Sequence, residues 1–412
     1  MDKDIPVLSD APVGLEQDEL GFGRYVDPLV RMITDAATET PFTIGVYGPW
    51  GSGKSSLLRM LDQRLAGEYP GRTIRVHFNP WVHRGEPHLL LPLLHALQDT
   101  LEQDGRHRLR EAAGRLGHVI AGLTSDTLLR KVSGGAVTLD RIGELSRQYA
   151  EQRGKVHSEL RNLRRTLQEQ ADRAAADGAR LVIFIDDLDR CQPHEIVDLL
   201  ESVKLFLDLR HVIVILAVAK NVVDQGIAMK YREFGFDAAR VVEIGDEYLD
   251  KIVQLPLTLM PIDPGAFLDR LPLPGGLATY RELLAGIVAP NPRRIKRVLN
   301  TCAVMSIVGG PPLRADIVIR LVVLRVQSPD LYDAIVARPR LAAALEDMYA
   351  GRLPLDRPDR LIERYGQAEA EPMAAAVRRF HRSQDYLGGV FCGTAFAEVK
   401  DELPGYLTML GR

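Results

Sequence analysis

The chain has 412 residues, 46% hydrophobic and 26% charged, with a net charge of −3. These proportions describe a globular protein of two or three domains with sizeable cores, and they exclude a disordered or fibrous chain. The near-balanced charge supplies no general basic field for nucleic acid.

Cys191, Cys302 and Cys392 lie far apart with no C-x-x-C pair. That argues against a disulfide framework or a zinc site and suits a reducing cytosol. Met1-Asp2-Lys3-Asp4-Ile5-Pro6 lacks the basic start and apolar core of a signal peptide. The longest apolar run, Val212 to Ala219, falls far short of the roughly 20 residues that cross a bilayer. A cytoplasmic protein is expected.

In chain order, residues 1–40 read as a lead-in segment with a short helix around Tyr25 to Ala36. A core domain is expected over residues 41–260. It opens with the apolar run Phe42, Ile44, Val46 and Tyr47, suited to a buried strand. Gly48-Pro49-Trp50-Gly51-Ser52-Gly53-Lys54-Ser55 follows and fits G-x-x-x-x-G-K-[ST]. Glycines at this spacing let backbone N–H groups converge on a phosphate; the lysine reaches the β- and γ-phosphates, and the Ser55 hydroxyl ligates Mg²⁺. Leu57, Leu58, Leu61 and Leu65 then fall at helical spacing, so Lys54 occupies the first turn of a helix whose N-terminus favours an anion.

A helical insertion is expected over about residues 100–178. Within it, Leu139 to Ala176 carries Ile142, Leu145, Tyr149, Val156, Leu160, Leu163 and Leu167, with Arg161, Arg164, Arg165 and Glu169 on other faces. The pattern fits a helical hairpin or coiled-coil arm and, equally, an amphipathic helix packed on the core.

The core resumes with Leu181 to Ile185, an apolar strand ending in Asp186 and Asp187. A strand end of this kind delivers one carboxylate to Mg²⁺ and a second to the attacking water. Asp186 is therefore the expected metal ligand and Asp187 the expected general base. Asp189 is the rival base; Asp187 is preferred because it adjoins the metal ligand. A helix over His194 to Leu207 and a strand over Val212 to Val218 follow. Strands alternating with helices predict an α/β fold, a mostly parallel sheet covered by helices. After Pro256, Met260-Pro261-Ile262-Asp263-Pro264-Gly265 reads as a linker. Residues 261–412 are expected to form an α-helical C-terminal domain, with breaks at Gly309-Gly310-Pro311-Pro312 and Leu353-Pro354.

Together these motifs resemble the KAP family of P-loop NTPases. The tryptophan-bearing loop Gly48-Pro49-Trp50-Gly51-Ser52-Gly53-Lys54-Ser55-Ser56 resembles the family's version. Phe78-Asn79-Pro80-Trp81 resembles its FN-x-W signature, and Asp186-Asp187-Leu188-Asp189-Arg190-Cys191 its extended Walker B. Tyr248 to Pro256 and Asn291-Pro292-Arg293-Arg294-Ile295-Lys296-Arg297 resemble its later blocks. The motifs span residues of about 20 to 300. Two features depart from the family pattern. The insertion is polar where many members carry transmembrane helices, and Ala219 stands where an aspartate is usual at a strand end. The departure at Ala219 puts a γ-phosphate sensor there in doubt, with Lys220 or Asn221 as substitutes.

The resemblance implies ATP with Mg²⁺ as the bound species. It implies an ATPase working as a conformational or assembly switch, and an anti-phage role in bacteria. It also suggests an arginine near Asn291, first Arg293 and then Arg297, that reaches the γ-phosphate; a solvated basic helix face is the competing reading. Trp50 is expected to shape or cover the phosphate site, Trp81 to pack at a strand end, and Tyr248 to Leu255 to dock the domains. A protein partner or homo-oligomer is expected. Two other functions compete: a nucleotide-dependent scaffold with negligible turnover, and a nucleic-acid-stimulated ATPase. The last is not favoured, since the basic clusters at 161–165 and 293–297 read more simply as solvated helix faces.

Overall fold

The computed structural model describes residues 7–86, 89–103, 161–232, 248–274, 276–308, 313–353, 358–380 and 386–411. They divide into two compact units, one of residues 12–259 and one joining residues 1–11 to 260–412.

The first unit is built on five parallel strands: β1 (Phe42–Tyr47), β2 (Thr73–Phe78), β3 (Arg180–Ile185), β4 (Val212–Val218) and β5 (Leu255–Thr258), in the order β2-β3-β4-β1-β5. Every residue of β4 is buried. That explains its unbroken apolar reading, since a central parallel strand is covered on both faces. The strand β5 has no counterpart among the sequence expectations. It is four residues long and contains Pro256, which lies at the sheet edge beside β1, where a missing N–H is tolerated.

Alternate residues of β3 and β4 feed two cores. On one face, Ile44, Val46, Val182, Phe184, Ile213 and Ile215 pack with helix α1 (Gly23–Thr34) and helix α2 (Lys54–Glu68). Val26, Leu29, Val30 and Ile33 of α1 are buried, each contributing roughly 1.5–3 kcal/mol by transfer from water. The segment before β1 thus covers the sheet. On the other face, Ile74, Val76, Ile183, Val214 and Leu216 pack beneath α3 (Leu90–Gln103), a helix over residues 161–176 (α4) and α5 (Pro193–Phe206). Helix α6 (Lys220–Arg232) follows β4.

Residues 104–160 of the insertion, with Ile142, Leu145, Tyr149, Val156 and Leu160, lie outside the described residues. Over α4, Leu163, Leu167, Ala171 and Ala174 are buried in the sheet's core. In that part the packed amphipathic helix is the observed form.

The second unit is helical. It includes α7 (Pro292–Val308), α8 (Ala315–Gln327), α9 (Pro329–Ala337), α10 (Arg340–Tyr349), α11 (Pro358–Tyr365), α12 (Gln367–Phe380) and α13 (Leu403–Leu410). The expected breaks at residues 309–312 and at Pro354 lie outside the described residues. Among the described residues no helix is long and apolar enough to cross a membrane.

Candidate functional site

The parallel sheet brings the ends of β1, β3 and β4 to one edge, where residues distant in sequence meet. β1 ends at Tyr47, and the N–H of Gly48 donates to the Val218 carbonyl at 3.4 Å. The loop then turns into α2. Gly53 has φ +98°, and a Cβ there would lie 2.6 Å from Leu20 Cδ1 and 2.8 Å from Phe22 Cε2. Both its backbone angle and its surroundings therefore require glycine. Trp50 is 62% exposed on the outside of the loop. Ser52 Oγ is buried with no hydrogen-bond partner among the described residues.

Lys54 is buried in the first turn of α2. Its Nζ donates to the carbonyls of Gly48 (3.0 Å) and Pro49 (3.3 Å) and pairs with Asp189 at 3.4 Å. Both partners of the ion pair are nearly inaccessible, at 7% and 8% exposure. Asp189, not Asp187, is thus the carboxylate in contact with the lysine. Ser56 accepts from the N–H of Val13 at 3.2 Å and so ties the chain before α1 to α2.

Asp186 sits at the end of β3, its N–H donating to the Phe78 carbonyl at 3.1 Å. Burial pushes its carboxyl above the ordinary range. A hydrogen bond from Ser55 and one from the Asp187 N–H, at 2.8 Å, oppose that shift, while neighbouring Asp187 and Asp189 add to it. Ser55 and Asp186 are thus neighbours at this edge of the sheet. Their hard oxygens suit Mg²⁺, which binds through one or two protein oxygens together with phosphate oxygens and water. A half-buried anion crowded by two others is also a setting that a cation relieves. The unpartnered Ser52 hydroxyl and the lysine at the helix N-terminus suit phosphate in the same way.

Asp187 adopts the left-handed region, φ 57° and ψ 24°, one of the few non-glycine types that does so at modest cost. Its Oδ2 accepts from Asn79 Nδ2 at 3.0 Å, and its Oδ1 pairs with Arg190 Nε at 2.8 Å. Asn79 received no role from the sequence reading. Its position directly after an apolar strand, inside a signature that names it, was the available signal. Its Oδ1 accepts from the Trp81 N–H at 3.0 Å and caps the short helical turn Pro80–His83. The Arg190 guanidinium lies 5.1 Å from the Trp81 ring centroid. Trp81 is 39% exposed.

Beside Ser55 and Asp186 opens a cleft of about 370 Å³, also lined by Arg59, Asp62, His77 and Asn79. Asp62 pairs with Arg75 at 2.8 Å and His77 at 3.2 Å. Burial works to raise its carboxyl, but His77 and Arg75 together hold it below the ordinary range. Ala219, buried at the end of β4, carries no polar group toward the loop, and Lys220 pairs with Asp224 at 3.2 Å.

The profile of the KAP family P-loop domain matches residues 22–269. The chain belongs to the KAP family. Its P-loop unit is accordingly a nucleotide-binding domain, and the match covers α1 as well as the sheet. Among similar proteins, the phage T7 exclusion protein of Escherichia coli (strain K12) is 24% identical over 366 residues, 79% of this chain and 47% of its own length. The Kinase D-interacting substrate of 220 kDa from Rattus norvegicus is 33% identical over 55 residues, 13% of this chain and 3% of its own length. The chain thus spans less than half the length of either relative.

Arg293 and Arg297, both on α7, lie in the second unit. Arg293 Nε is 3.6 Å, and Arg297 Nε 3.2 Å, from the same carboxylate oxygen of Asp10. Neighbouring Leu8 exchanges two hydrogen bonds with Asn300, each 2.8 Å, which fixes the N-terminal segment along α7.

Proposed function

We propose that this KAP protein binds ATP with Mg²⁺ and hydrolyses it to drive a conformational or assembly switch. The observation that carries the reading is the placement of Ser55 and Asp186 on one cleft wall, one residue from the buried Lys54. Lys54 exchanges its loop carbonyls and Asp189 for phosphate oxygens, while the Ser52 hydroxyl and the loop N–H groups of residues 51–56 hold the rest of the anion. Ser55 and Asp186 hold Mg²⁺, which when bound neutralises charge on the phosphates. Asp187 accepts a proton from the attacking water. Arg293 reports phosphate loss to the helical unit, with Arg297 as its substitute.

The phage exclusion named for the Escherichia coli relative supports an anti-phage role in the cytoplasm, with a protein partner or a second copy of the chain receiving the signal. Steady-state phosphate release tests the chemistry. It should require Mg²⁺ and disappear in Lys54→Ala and Asp187→Asn, while Arg293→Ala should slow turnover and keep nucleotide binding. A protein that binds nucleotide but releases no phosphate would support the second reading, a nucleotide-dependent scaffold. The apolar Ala219 at the end of β4 favours that alternative. Mass measurement with and without a slowly hydrolysed ATP analogue tests assembly.

A further inference from the structure

We propose that Asn79 is a positioning residue for Asp187, and that Phe78-Asn79-Pro80-Trp81 braces the catalytic carboxylate. The inference rests on the reading of Asp187 as general base. A base works only if a lone pair faces the water it deprotonates, and a carboxylate on a single χ2 bond swings freely unless something holds it. Here both oxygens are held. Asn79 donates to Oδ2 from the end of β2, and Arg190 pairs with Oδ1 from the turn after β3. Each oxygen keeps a second lone pair, and the two anchors fix the plane in which it lies.

The two anchors are themselves joined. The Asn79 carbonyl oxygen accepts from the Trp81 N–H, so the amide cannot rotate without losing the cap on Pro80–His83. Arg190 stacks over the Trp81 ring, which limits where its guanidinium can go. Asp187 itself lies in the left-handed region, a conformation that persists where surrounding contacts over-determine it. The brace spans two strands adjacent in the sheet: Phe78 and Ile185 are register partners. A one-residue slip between β2 and β3 would therefore separate the amide from the carboxylate. Arranged in this way, a base held by a third group follows the logic of activated nucleophile–base pairs.

Asn79→Asp provides a discriminating test. Aspartate has the same shape and still accepts from the Trp81 N–H, so the cap survives. Only the donor facing Asp187 is replaced, by an acceptor of like charge. The expected result is a fall in kcat of about 10- to 100-fold, the scale of a misplaced reacting group, with KM and the affinity for a fluorescent ADP analogue within about twofold of wild type. Asn79→Ala removes the donor to Asp187 without adding a like charge and should also lose kcat at near wild-type KM. Loss of nucleotide affinity in parallel with kcat in Asn79→Asp would indicate a merely structural role and overturn the proposal. So would wild-type kcat in Asn79→Asp alongside an inactive Asp187→Asn, which leaves the base reading standing. Wild-type turnover in Asp187→Asn would overturn both.

Discussion

Substituting the P-loop lysine is the usual way to abolish nucleotide binding, and here it should also destabilise the nucleotide-free protein. Lys54 and Asp189 are both nearly inaccessible to water and lie 3.4 Å apart. Lys54→Met keeps the aliphatic stem and removes the charge, leaving the Asp189 carboxylate buried without its counter-ion. Breaking one side of a buried pair costs about 3–5 kcal/mol. For a domain of this size that lowers Tm by roughly 6–20 °C. Scanning calorimetry without nucleotide removes the ligand's own contribution to Tm. Asp189→Asn added to Lys54→Met should restore most of the loss. Asp189→Asn alone should cost less, because Lys54 keeps the Gly48 and Pro49 carbonyls. A Lys54→Met deficit under 2 °C, or one that Asp189→Asn does not repair, would refute the reasoning.

Further outcomes follow from other sites. Gly53→Ala forces a Cβ to within 2.6 Å of Leu20 Cδ1 at φ +98°, and should cost about 1–3 kcal/mol together with nucleotide affinity, read by Tm and titration. Glu346 is fully buried on α10 and accepts the N–H groups of Phe396 and Ala397, each at 2.8 Å. Glu346→Ala strands both donors, at about 1–3 kcal/mol each, and should lower the melting temperature of the helical unit. Asp62 is held below the ordinary carboxylate range in the folded chain. Its contribution to stability is thus present above about pH 4 and lost as pH falls through the lowered value. The Tm difference between wild type and Asp62→Asn should be full at pH 6 and shrink as pH falls below about 4.

What was legible in the sequence was what is local. The P-loop, the strand ending in Asp186 and the helical tail are each specified by residues within a few positions of one another. The contacts that define the site's chemistry join residues far apart: Asn79 meets Asp187 across 108 positions and Lys54 meets Asp189 across 135. Adjacency to the expected metal ligand, Asp186, favoured Asp187. The left-handed turn at that residue then carries the chain into the helical turn Leu188–Arg190, which delivers Asp189 to the lysine. No local pattern encodes that rotation.

The basic run at 293–297 illustrates the same limit in electrostatic terms. Read by itself it offers four cations on one helix. In the folded unit Arg293 and Arg297 share the carboxylate of Asp10, and Lys296 is buried at 8% exposure. Phosphate attraction and its salt dependence scale with cations open to the backbone of a nucleic acid. This helix presents fewer of them than its sequence counts. The cause lies at residue 10, almost three hundred positions away.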